Sequence, residues 1–188
     1  MAFKNNIMYQ IATLFGLGRL PGGGTWASLF VLFAAIFAKD PFHILFFFFF
    51  FVTICGWIIY QISIPFFKSK DPKEFVLDEV LGMAIALIII EMFFSFFGGF
   101  GFNLPDYINN QQLLFVIAFI LFRIFDISKI GPVGWIEDPT TAPLWWKKWN
   151  STDICDDYMA VVGDDMFAAL LSAGIVIIML SVNLWILS

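Results

Sequence analysis

Carboxylates gather at three junctions between polar and apolar sequence. Asp78-Glu79 precedes the run Val80 to Phe97, Asp126 closes the run Leu113 to Phe125, and Asp164-Asp165 precedes Met166 to Leu187. If those runs are membrane helices, these acids lie at headgroup level, where a charge is costly unless a cation neutralises it. Hard divalent cations such as Mg²⁺ take oxygen ligands and retain water for exchange with substrate. Asp78, Glu79, Asp126, Asp164 and Asp165 are therefore candidate metal ligands and candidate catalytic carboxylates. Acids at helix N-termini also complement the helix dipole without any ligand. That explains any single junction, and explains three on one face less well.

Cations accompany the acids. Arg123, Asp126 and Lys129 recur every three residues, which fits a phosphate clamp of Arg123 and Lys129 beside a metal-binding Asp126. A structural ion pair with a snorkelling lysine fits the same spacing. Upstream, Gly16-Leu-Gly-Arg-Leu-Pro-Gly-Gly-Gly-Thr-Trp-Ala-Ser28 is a glycine-rich turn opening into a helix. Its backbone N–H groups, with Arg19, Thr25 and Ser28, are candidates for holding a phosphate, and Thr25 is the expected N-cap. No Lys-Ser/Thr follows the last glycine, so it is not a P-loop, and a tight turn explains the glycines equally well.

These residues need elements to hold them at one level. The chain of 188 residues is 61% hydrophobic and only 13% charged, with a mean hydropathy of +0.89. A soluble domain carries about 25% charge, so an all-α, polytopic membrane bundle is expected, forming a single domain. Phe42–Phe67, Val80–Phe97, Leu113–Phe125 and Met166–Leu187 are the expected spans. Trp26–Ala38 is short enough to be broken or re-entrant, giving four to five membrane helices in all, and residues 7–15 suit an interfacial helix. Residues 130–163 are expected to form a polar cytoplasmic loop. No signal peptide is expected at the N-terminus. With a cytoplasmic N-terminus, Lys4, Arg19, Lys68, Lys70, Lys73, Arg123, Lys129, Lys147 and Lys148 fall inside and Lys39 alone outside. That asymmetry places the acids on the cytoplasmic side. Small residues four positions after the acids (Gly82, Ala168, Ala169) predict close helix approach beside them.

The remaining features receive structural explanations. His43 is expected near the opposite face, Glu91 in a helix–helix hydrogen bond, and Trp145, Trp146 and Trp149 with Lys147 and Lys148 in an interfacial anchor. Cys55 and Cys155 form no metal or disulfide pattern. The net charge of −5 and the lack of a basic stripe exclude nucleic acid as a partner. A single His and the absence of Cys-x5-Arg exclude histidine- and cysteine-nucleophile phosphatases.

Four segments together resemble the phosphatidylglycerophosphatase A family of bacterial inner-membrane lipid phosphatases. They are Gly16, Gly18, Pro21, Gly24, Thr25 and Ser28; Asp71-Pro72, Asp78-Glu79 and Gly82; Phe122-Arg123, Phe125-Asp126, Lys129 and Pro132; and Asp164-Asp165 with Ala168. The chain departs from the family pattern in three places. Gly22-Gly23 stands for Ala-Pro, Ile130 follows the lysine in place of proline, and the stretch from Lys129 to Asp164 is lengthened, with Asp157-Tyr158 where a glycine pair is usual. The resemblance implies Mg²⁺-dependent hydrolysis of the terminal phosphomonoester of phosphatidylglycerophosphate, a phospholipid substrate. It also implies that the five acids hold the metal or catalyse, and that Arg19, Thr25, Ser28, Arg123 and Lys129 bind the substrate. A phosphatase of another phospholipid phosphomonoester, or a small cation-binding transporter, is the alternative.

Overall fold

The computed structural model describes residues 7–67, 72–99, 110–137, 143 and 157–187. Among these residues there is no strand. The helices are α1 (Ile7–Ala12), α2 (Gly23–Phe37), α3 (Pro41–Ser63), α4 (Leu77–Gly99), α5 (Gln111–Ser128), α6 (Pro132–Glu137) and α7 (Asp157–Leu187), with a 3₁₀ segment at Leu14–Arg19. Four segments are long and apolar enough to cross a membrane: Pro41–Phe66, Leu77–Phe96, Gln111–Ser128 and Val161–Val182. The chain is a multi-pass helical membrane protein. At 15 residues, α2 runs about 22 Å, short of a hydrocarbon core of about 30 Å.

Helix α4 is the axis, packing against α2, α3, α5 and α7. Half of its span is buried, against 22% for those of α3 and α5. An uninterrupted apolar stretch from Val80 to Ile90 lets every face of α4 meet a neighbour. The outer helices expose Phe33, Phe47, Ile54, Ile124 and Ile178. On a soluble protein such a belt would be an aggregation patch; here it is the lipid-facing surface.

Close approach is specified by small residues. A Cβ on Gly82 would sit 2.9 Å from Phe122 of α5 and 3.0 Å from the Asp165 carbonyl of α7. Ala168 and Ala169 are wholly buried. Gly82 thus sets the junction of three helices one turn above Asp78, so the acids of α4, α5 and α7 share one level. The N-terminal segment is pinned to the same end, where the Val76 amide donates to the Ala12 carbonyl at 3.1 Å.

Three expectations change. The helix expected to begin under a Thr25 cap begins at Gly23, with Gly22 at the cap in a left-handed conformation (φ 70°). The glycine turn enters the helix earlier than a side-chain cap would allow. The stretch expected to be polar loop over 130–163 contains α6, and α7 begins at Asp157. Asp157, Asp164 and Asp165 are carried in one helix with the apolar residues between them, so the apolar span starts at Val161 and takes in the acid pair. The Glu91 carboxylate was expected to bond across helices, yet its Oε2 is buried without a hydrogen-bond partner among the described residues. Asp71, Cys155 and the Trp145–Trp149 anchor with its lysines lie outside the described residues.

Candidate functional site

The start of α2, the start of α4, the end of α5 and the first turns of α7 surround one cavity of about 850 Å³. Asp78 and Glu79 reach it because α4 begins at Leu77, after a turn in which the Phe75 amide donates to the Pro72 carbonyl at 2.8 Å. Asp126 and Lys129 reach it from the last turn of α5, and Asp164 and Asp165 from within α7.

The five acids divide into two sets. Oxygens of Asp78, Glu79 and Asp165 lie within 4.8 Å of one another, a group able to hold a metal ion. Asp78 is 8% exposed and Asp165 3%. Glu79 Oε2 and Asp165 Oδ1 are buried with no hydrogen-bond partner among the described residues. Three carboxylates so close together, largely buried and short of donors, are strongly unfavourable as a bare cluster. An oxygen-seeking cation supplies the missing positive charge, so the donor set fits one.

Asp126 and Asp164 are different. Arg123 Nη1 stands 2.7 Å from Asp126 Oδ2, Lys129 Nζ stands 3.4 Å from Asp126 Oδ1, and Lys129 also pairs with Asp164. Burial would pull the Lys129 ammonium toward neutrality. The hydrogen bond to Asp164, followed by the charges of Asp164, Asp126 and Asp165, outweighs it and raises its pKa. Lys129 therefore remains a cation throughout the physiological range. It occupies the C-cap of α5 in the left-handed region (φ 50°), which turns the chain back toward the acids.

Glycine at position 24 admits the acid trio to the start of α2. A Cβ there would collide with the Glu79 carboxylate, so the first turn of α2, with its unsatisfied N–H groups, abuts an acid. Elsewhere in the lining, the Arg19 guanidinium lies 4.8 Å over the Tyr9 ring, and Tyr9 donates to Glu74 Oε2 at 2.6 Å. Arg19 Nε and Nη2 are buried without a hydrogen-bond partner among the described residues. Burial, followed by the bond to Glu74, raises the pKa of Tyr9, so the phenol stays neutral and serves as a platform for the arginine.

Of the residues singled out in the sequence, Arg19, Asp78, Glu79, Arg123, Asp126, Lys129, Asp164 and Asp165 line this cavity. Ser28 does not. It is fully buried, and its hydroxyl donates to the Gly24 carbonyl at 2.8 Å, a bond internal to α2. Thr25 faces a different, lateral depression. Tyr9 and Glu74 are not among the residues singled out by the sequence. Glu74 stands four residues before Asp78, a signal open to sequence reading, whereas nothing in the spacing marks Tyr9.

The model of the phosphatidylglycerophosphatase A family matches residues 10–180, which include every residue that lines this cavity, though not Tyr9. The chain belongs to that family. No curated protein and no solved structure matches it. The four segments that carried the resemblance all fall within the matched range.

Proposed function

We propose that this phosphatidylglycerophosphatase A family member hydrolyses the terminal phosphomonoester of phosphatidylglycerophosphate to phosphatidylglycerol and phosphate. The reaction depends on Mg²⁺ and takes place on the cytoplasmic side of a bacterial inner membrane. The observation that carries this reading is the presence of two differently built sets of acids in one cavity. Asp78, Glu79 and Asp165 form an acid wall, and Arg123 and Lys129 are held by Asp126 and Asp164 in a paired one.

Mg²⁺ held by Asp78, Glu79 and Asp165 would supply positive charge to the phosphoryl oxygens and acidify a bound water. The protein's own residues do the rest. A phosphate monoester is dianionic, and its transfer calls for cations placed around the equatorial oxygens. Arg123 presents a fork and Lys129 a point charge for that purpose. Asp126 fixes the fork and Asp164 the ammonium, so neither needs to be ordered when substrate arrives. An oxygen nucleophile attacks phosphorus in line, the bond from phosphorus to the glycerol oxygen breaks, and that oxygen takes a proton. The nucleophile is water deprotonated by a carboxylate, or one of the carboxylates itself with later hydrolysis. Arg19 offers its remaining N–H groups to the substrate's headgroup from elsewhere in the lining.

Purified protein in detergent is expected to release phosphate from phosphatidylglycerophosphate with Mg²⁺ and to stop when the metal is chelated. Absence of release from folded protein, alongside a working control enzyme, overturns the assignment. Release from a different phospholipid phosphomonoester only would reassign the headgroup.

A further inference from the structure

A second depression opens on the side of the bundle, between α2 and α5, with a volume of about 500 Å³. Its lining is Phe119, Ile120, Ile124 and Ile127 of α5, with Thr25, Ser128 and Arg123. The α5 residues follow one another at helical spacing, so they form a stripe along the axis about 12 Å long. Ile120 and Ile124 are each half exposed and Ile127 more so. In a helix that spans the membrane, this stripe opens to the lipid rather than to water.

Two residues belong to both spaces. Arg123 and Ile127 line the lateral groove and also the acid cavity. The groove is therefore the apolar continuation of the polar site, with a guanidinium at the point where they meet. Arg123 Nη1 lies at ion-pair distance from Asp126, and neither it nor the buried Nε has a hydrogen-bond partner among the described residues. Polar atoms of the groove, from Thr25, Ser128 and Arg123, sit beside an otherwise hydrocarbon wall. An occupant with one charged end and one long apolar body matches that division: the apolar part lies along Ile120 and Ile124, and the anionic part passes Arg123 into the cavity.

We propose that this groove seats an acyl chain of the substrate lipid, and that substrate reaches the acids laterally from the bilayer between α2 and α5. The proposal rests on the lipid-phosphatase reading of the adjoining cavity and adds the path and the chain-binding surface. Bulk lipid would touch any outward face of the bundle equally. The continuity with the acid cavity through Arg123 and Ile127 singles out this groove for the lipid that is processed.

Two measurements test it. In the first, the protein is reconstituted with phosphatidylglycerol carrying a diazirine near the middle of one acyl chain, irradiated, and the adducts are mapped by mass spectrometry. Adducts at Ile120 and Ile124 are expected to exceed several-fold those at Leu170, which is similarly exposed at a comparable depth on α7. Equal labelling of the two faces is annular contact and overturns the proposal. In the second, Ile124→Trp and Ile120→Trp, which fill the groove from a lipid-exposed position, are assayed on the diacyl substrate and on its deacylated headgroup. The ratio of kcat/KM for diacyl over deacylated substrate is expected to fall by about tenfold or more, within the range set by filling an apolar pocket. An unchanged ratio overturns the proposal even if both rates decline together. Enriched labelling in a protein that hydrolyses neither substrate would retain the groove as a lipid seat and reject the phosphatase reading. Hydrolysis with uniform labelling and an unchanged ratio would do the reverse.

Discussion

The two walls of the cavity are built from the same residue types to different ends. On the paired wall, Asp126 and Asp164 each have a cation in contact, supplied by Arg123 and Lys129. On the acid wall, Asp78, Glu79 and Asp165 face one another, and two of their oxygens are left without donors among the described residues. The first arrangement is complete in the protein alone, whereas the second is one that could hold a metal ion. An aspartate in this molecule is thus a fixture or a ligand according to whether a cation is within reach, and sequence adjacency does not decide it. Asp164 and Asp165 are neighbours on different walls.

That contrast can be broken most forcefully on the acid wall. Asp165→Ala is expected to reduce kcat by roughly 10³-fold or more, the scale of removing a group that acts on the developing charge. Its Mg²⁺-induced rise in melting temperature should vanish with the activity. Wild-type-like turnover by a correctly inserted variant would dissolve the distinction. Next in size, Lys129→Ala on the paired wall should cost about 10²-fold in kcat/KM, while Mg²⁺ still stabilises the fold; loss of the metal response here would show that both walls bind metal. Gly24→Ala pushes a methyl into the Glu79 carboxylate, which can rotate away. A fall of about tenfold in kcat is expected, on the scale of a small misplacement in an active site, with a weaker Mg²⁺ affinity in calorimetry.

The pH dependence sharpens the same comparison more gently. The pKa of Lys129 is raised in the folded protein. Its contribution to stability is then complete below the ordinary lysine value of about 10.4 and is lost only as pH rises through the higher folded value. Melting temperature measured from pH 8 to 11 should therefore show no Lys129-dependent loss until the upper end. A difference between wild type and Lys129→Met that disappears already near pH 9 would contradict the pairing. The smallest effect belongs to the far end of the bundle, where the Asp40–His43 pair (2.8 Å) caps α3 in full view of water. His43→Ala should leave turnover within about twofold, since an exposed pair contributes little.

The sequence displayed the acids, the spans and the small residues that draw them together. Gly82 four residues after Asp78 is a signal readable without coordinates, because helical periodicity fixes which residues share a face. What spacing does not encode is partnership between helices. Nothing within α7 says that Asp164 meets Lys129 while Asp165 turns to Asp78. Ser28 looked like a phosphate ligand because it follows a glycine turn, but one turn of helix rotates its hydroxyl onto Gly24. Tyr9 escaped because an aromatic in a short apolar helix carries no chemical mark until an arginine is found lying on it. The early start of α7 escaped for a related reason: the acid pair Asp164-Asp165 interrupts the apolar run, and nothing in the spacing says that Val161 and Val162 before it belong to the same helix.

Lys129 holds its place at a backbone angle (φ 50°) that suits glycine better, at a cost of about 1–2 kcal/mol for a residue with a side chain. The pairs that Lys129 makes with Asp164 and Asp126 hold it there, and losing the ammonium would leave both acids uncompensated, a larger loss than the strain relieved. A laboratory selection for heat tolerance alone should accordingly keep lysine at this position. Engineers seeking a durable catalyst would do well to hold this codon fixed and look for robustness elsewhere.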